Sequence, residues 1–142
     1  FLGTSASVPT KERNLSSVAM RYAGEWLLFD APEGVQRQMV AAGVSYLKIN
    51  HIFISHFHAD HILGLGGLLA TMNIHGRDWA INVHGPKGIA KKVQDSLDLA
   101  LLKPGFEIKC HEVKKGVALR GDSPRRSGPR SPLPPSPAPV GE

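Results

Sequence analysis

Short apolar runs, separated by turn-forming residues, set the pattern along most of this chain. Val18 to Tyr22 and Trp26 to Phe29 are β-prone runs joined through Ala23-Gly24-Glu25, the spacing of a hairpin with a short glycine-bearing connection. With Phe1-Leu2-Gly3-Thr4, which reads as a strand end running into a turn, they predict a β-meander. Between Gly34 and Ala42 the apolar residues Val35, Met39, Val40 and Ala42 recur at helical spacing, and Gly43 is placed to end that element. His51-Ile52-Phe53-Ile54 predicts a strand, Ser55 to His61 a polar loop, and the apolar stretch from Ile62 to Ile74 a helix. A strand over 80–83, a turn at Pro86-Lys87-Gly88, a helix ending near Leu102 and a strand over 106–113 complete an α/β (α+β) pattern.

The pattern stops near Ala118. Seven of the chain's eleven prolines fall between Pro124 and Pro139, interleaved with Ser, Arg and Gly, a composition that cannot bury enough apolar surface to fold. The expected organisation is therefore a folded unit over 1–118 and a disordered Pro/Ser/Arg-rich tail over 119–142. With 42% hydrophobic and 20% charged residues in 142, the first part has material for one core. No apolar run approaches the ~20 residues that span a bilayer, and no basic-then-apolar secretory pattern opens the chain, so no membrane partner is expected and the default location is the cytoplasm. The single cysteine, Cys110, excludes an intramolecular disulfide framework and a Cys-rich zinc site. A net charge of +5 suits an anionic partner, although no segment is overwhelmingly basic.

His56, His58, Asp60 and His61 spell HxHxDH directly after the predicted strand. In an extended segment, residues two apart project to the same side, so His56 and His58 can chelate one metal together. Asp60 and His61, where the chain turns into the helix, can face a second. Imidazole nitrogen and carboxylate oxygen suit Zn²⁺, and a pair of such ions supplies hydroxide near neutral pH for attack on a phosphodiester, with Asp60 able to accept the water proton. The remaining histidines, His51, His75 and His84, are expected to pack or hydrogen-bond as structural residues. Gly64, Gly66 and Gly67 are expected to permit close packing beside the site in preference to contacting phosphate.

The segments flanking the motif carry a resemblance. Residues 1–14, from Phe1-Leu2-Gly3-Thr4-Ser5 to Glu12-Arg13-Asn14, resemble the opening of ribonuclease Z, a zinc-dependent tRNA 3′-processing endonuclease of the metallo-β-lactamase superfamily. Phe29-Asp30-Ala31-Pro32-Glu33-Gly34-Val35-Gln36-Arg37-Gln38 resembles its next block, with Ala31-Pro32 where the family has Cys-Gly, and His84-Gly85-Pro86-Lys87-Gly88 resembles a third. The similarity covers about 1–116 and reads as roughly the first half of the enzyme. It implies the N-terminal half of an αββα sandwich with a mixed, mainly antiparallel sheet, leaving one sheet face without its partner layer.

By the same resemblance, His56 and His58 would ligate a first zinc and Asp60 and His61 a second, with Mn²⁺ as an alternative metal. Asp60 would be the catalytic proton acceptor, and Asp30 would stand behind the ligands as an orienting carboxylate. The family's further ligands, a His to the first zinc, a bridging Asp and a final His to the second, have no counterpart here; His111 lies in a strand that precedes the family's next ligand block. The implied partners are precursor tRNA and a second copy in a homodimer. Two other readings stay open: a different metal-dependent phosphodiesterase acting on small cyclic phosphates or similar esters, and a catalytically dead fragment that acts as a dimerisation or RNA-binding module.

Overall fold

The computed structural model describes residues 1–114. The expected boundary at 118 and the Pro-rich stretch 119–142 lie outside the described residues. Strands β1 (Val18–Tyr22), β2 (Glu25–Phe29), β3 (Ile49–Phe53), β4 (Ile81–Gly85) and β5 (Ile108–Glu112) form one sheet in sequence order. Helices α1 (Val35–Ala41), α2 (Ala59–Ile62), α3 (Leu65–Ile74) and α4 (Ile89–Leu99) connect the later strands, with a 3₁₀ turn at Tyr46–Lys48 that the hydrophobic pattern does not announce.

The hairpin forms as the sequence predicts. Tyr22 pairs with Glu25 across a two-residue loop in which Ala23 and Gly24 both take positive φ, 49° and 84°, the handedness that matches strand twist. The expected meander does not continue. Only β1 and β2 are antiparallel, whereas β2–β3, β3–β4 and β4–β5 are all parallel, so the sheet is mixed but mainly parallel, not mainly antiparallel. The physical reason lies in the connections. Each passage from β2 onward carries a helix long enough to return the chain to the same edge, the condition for a parallel crossover. The opening residues form isolated bridges, Gly3 with Ser17 and Ser5 with Leu15, in place of a strand end.

One sheet face carries Leu28, Ile52 and Val83 in register, all fully or almost fully buried. Against it pack Val35 and Met39 of α1, Leu65, Leu68, Leu69 and Met72 of α3, and the Ile89, Val93 and Leu97 stripe of α4 in a single continuous core. Each such side chain contributes about 1.5–3 kcal/mol on burial. The i, i+4, i+8 spacing of the α4 stripe is what orients that helix. No helix among the described residues is long and apolar enough to cross a membrane.

The other face carries a row of stacked rings. Phe29, Phe53, His84 and His111 are register partners on β2 to β5, with successive ring centroids 5.1, 4.5 and 4.7 Å apart. Met20 and Phe29 on this face are exposed, as expected of a sheet surface that a sandwich would cover with a second layer. His84 is buried, and its Nε2 lies 3.0 Å from His51 Nδ1 while its own Nδ1 has no partner among the described residues.

Arg77 locks the base of the sheet. Its guanidinium is buried, donates to the carbonyls of Trp79, Leu47, Ile49 and Ala80 at 2.9 Å each, and lies over the rings of Trp79 and Phe106. Replacing it leaves buried acceptors without donors, which costs more than losing the bonds themselves. Arg77→Met should therefore lower unfolding free energy by about 3 kcal/mol or more, read from the urea midpoint.

A pH dependence follows from His84. Burial, reinforced by the facing His111 and His51, lowers its pKa from 6.5 to about 4, and burial likewise lowers that of His51. The unfolded chain takes up this proton first as the pH falls, so the stability it contributes is complete above 6.5 and is lost progressively towards pH 4. The urea midpoint should fall through that window, and His84→Phe, which keeps a ring in the stack, should flatten the decline. An unchanged slope in the variant would rule out this assignment.

Candidate metal centre

The HxHxDH segment begins where β3 ends. Parallel strands present their carboxyl ends at one edge of the sheet, the usual location of sites in such sheets. Here the ends of β2, β3 and β4 bring Asp30, Ser55 and Gly85 to a common cavity of about 370 Å³, bordered also by Phe29, Phe53, Ile54, His84, Pro86 and Val113. The motif itself divides at the cap of α2. His56 and His58 lie in extended chain, with His58 at the helix cap (φ −67°, ψ 150°), while Asp60 and His61 lie within α2. The long helix expected from Ile62 is thus two helices, and the first begins inside the motif.

The backbone fastens this loop to the end of β2. Asp30 N donates to Phe53 O at 2.8 Å, Ala31 N to His61 O at 2.8 Å, and Gly64 N back to Ala31 O at 2.9 Å. Asp30 adopts φ 59°, a left-handed conformation that Asp tolerates better than most residues. Its carboxylate turns into the loop. Oδ1 accepts from Ser55 N at 2.7 Å, and Oδ2 accepts from Ser55 Oγ at 2.9 Å and from His61 Nδ1 at 2.8 Å.

The structure brings the four motif residues together as two pairs, with Asp30 bonded to His61. His56 Nε2 is 3.0 Å from His58 Nδ1, and His61 Nε2 is 3.5 Å from Asp60 Oδ2. The His56 ring also lies 4.0 Å from that of His61, centroid to centroid. Among the described residues, no three or more His, Cys, Asp or Glu side chains converge in an arrangement that could hold a metal ion. The donor chemistry nevertheless fits: two ligands of one tetrahedral zinc at ~2.0–2.1 Å lie roughly 3.3 Å apart, close to both pair separations. Each pair could supply two of the four donors of a tetrahedral set.

Two residues near the motif escaped the sequence reading. Ser55 contacts Asp30, His56 Nδ1 at 3.0 Å and His61 Nδ1 at 3.4 Å. Ser7 donates its backbone N–H to Asp60 Oδ2 at 3.1 Å, bringing the opening segment over the motif. Serine is too common for its place before a histidine to have signalled the first, and a backbone donor leaves no signal in sequence for the second. The other histidines are engaged elsewhere: His75 with Thr71 O and Tyr46, His51 with His84, and His111 with Asn82.

Residues 1–113 match the family model described as anti-Pycsar protein Apyc1. The chain belongs to that family. It is also similar to a curated ribonuclease Z of Thermococcus gammatolerans, 47% identical over 113 residues, which cover 80% of this chain and 36% of that protein. Among solved structures, the short form of human tRNase Z superposes with a TM-score of 0.73 at 36% identity, covering 79% of this chain and 44% of that one. The metallo-β-lactamase fold protein YhfI of Bacillus subtilis superposes with a TM-score of 0.66 at 19% identity, over 85% of this chain and 47% of that one. The resemblance to ribonuclease Z and the metallo-β-lactamase fold expected from the sequence therefore both hold. The chain spans about a third of the length of the curated relatives it matches.

The glycines after the motif serve packing. A Cβ on Gly64 would collide with the Pro32 carbonyl, one on Gly66 would crowd Ser96 O, and one on Gly67 would press on Gln36. Gly64→Ala should force 31–32 away from α2, break the Ala31–His61 and Gly64–Ala31 bonds, and cost about 2 kcal/mol with loss of metal uptake. Gly76→Ala, at φ 73° with open space around it, is the control. It should cost about 1 kcal/mol through backbone strain alone and leave uptake unchanged, with cobalt titration and urea melts as the readouts.

Proposed function

We propose that this chain carries part of a zinc-dependent endoribonuclease that removes 3′ trailers from precursor tRNA. The observation that supports this best is the pairing of His56 with His58 and of Asp60 with His61, the latter bonded to the Asp30 carboxylate, at the carboxyl ends of parallel strands in a chain whose curated relatives are named ribonuclease Z. In this reading His56 and His58 hold one zinc and Asp60 and His61 a second, with manganese as a substitute. Bound there, the metals supply a hydroxide nucleophile at neutral pH and neutralise charge on the phosphodiester.

The chain's own residues perform the remaining tasks. In this reading Asp60, whose Oδ2 lies 3.5 Å from His61 Nε2 and accepts from Ser7 N, also serves as the proton acceptor through its carboxylate. Asp30 fixes the orientation of His61 through its Nδ1–H, the usual role of a carboxylate behind a ligating histidine. The net positive charge favours an RNA substrate, in a cytoplasmic homodimer by analogy with the family.

A second reading has an observation of its own. Among the described residues no three His, Cys, Asp or Glu side chains converge on one metal position, which suits a chain that binds RNA or a second copy without cutting. The two readings separate on a 3′-extended precursor tRNA incubated with the chain and zinc or manganese. Cleavage that is lost at least a hundredfold in Asp60→Ala supports the nuclease. No cleavage by chain shown to be folded supports the second reading, and cleavage of a small phosphodiester but not of tRNA would point to another esterase of the same fold.

A further inference from the structure

The Ser55 hydroxyl has three polar neighbours but only one proton to give. A carboxylate can only accept, so the 2.9 Å contact with Asp30 Oδ2 takes that proton. Towards His56 Nδ1, 3.0 Å away, the same oxygen can then only accept, and Nδ1 must carry the hydrogen. A neutral imidazole has one N–H, which leaves the lone pair of His56 Nε2 free on the side facing His58. His61 reaches the same state by a different path. Its Nδ1 donates directly to Asp30 Oδ2 at 2.8 Å, which frees Nε2 towards Asp60.

We propose that Ser55 is a positioning residue, relaying the Asp30 carboxylate to His56 and holding that histidine in the tautomer whose Nε2 is free to bind metal. The inference rests on the metal-centre reading above and adds one residue to it. One carboxylate thereby sets a histidine of each ligand pair, directly for His61 and through a hydroxyl for His56. The Ser55 N–H bond to Asp30 Oδ1 at 2.7 Å holds the relay in place and survives any change of side chain. His58 behaves differently. In the metal-free chain its Nδ1 donates to the bare His56 Nε2, and that hydrogen must leave before both nitrogens can serve one ion.

The test is ring-nitrogen NMR on the metal-free 142-residue chain, together with cobalt titration. Wild type should show His56 and His61 both as Nδ1–H tautomers. Ser55→Ala should move His56 to a mixture of tautomers and leave His61 unchanged, because His61 keeps its direct bond to Asp30. Ser55→Thr, which retains the hydroxyl, should restore the wild-type pattern. Cobalt affinity should fall about tenfold to a hundredfold in Ser55→Ala and recover in Ser55→Thr.

A wild-type His56 protonated on Nε2 would overturn the proposal even if the alanine variant failed to fold. So would an alanine variant in which His56 stays wholly Nδ1–H, or one in which His56 and His61 change together, the mark of a loop that has merely loosened. Failure of wild type to take up cobalt would count against the metal-centre reading alone, since the tautomers are read without metal.

Discussion

The site depends on the Asp30 carboxylate, which lies at the one point where the end of β2 meets the end of β3. Both of its oxygens are used, and all three partners belong to the motif loop: Ser55 N, Ser55 Oγ and His61 Nδ1. The carboxylate reaches them because Asp30 takes a left-handed turn at φ 59°, and its carbonyl and that of Phe29 are held from behind by the buried Ser17 hydroxyl at 2.9 and 3.2 Å. The parallel pairing of Phe29 with Phe53 sets the relative height of the two strand ends. A slip of that pairing by one residue would turn every side chain on the slipped strand to the opposite face, carrying the motif out of reach of Asp30.

Much of this was legible in the sequence, and the limits have physical reasons. The hairpin and α1 follow from local signals: glycine at a turn needing positive φ, and apolar residues at helical spacing closed by Gly43. Strand direction does not. β3 and β4 are buried on both faces at most positions, so their sequences do not alternate in the way that distinguishes an antiparallel, half-exposed strand. The parallel order was legible only in the helices between the strands, whereas the mainly antiparallel sheet was what the resemblance implied.

The candidate site shows the same division between local and distant information. His56, His58, Asp60 and His61 stand out because three imidazoles and a carboxylate within six positions have few structural uses. Asp30 came from resemblance, and nothing in its own neighbourhood marks it. Ser55 and Ser7 were missed because their roles exist only once segments distant in sequence are brought together. Arg77 belongs with them. Its four carbonyl partners come from the segments that enter β3 and β4, a role that a lone basic residue in a loop does not reveal.

The pairing of the four motif residues has a geometric cause. A metal held tetrahedrally needs donors from four directions, and a six-residue segment that leaves a strand and enters a helix offers only two faces. The extended part presents His56 and His58 together, and the helical part presents Asp60 and His61 together, so the motif divides into two pairs. A tetrahedral ion held by either pair would keep two directions open, so its affinity would depend on donors outside the motif.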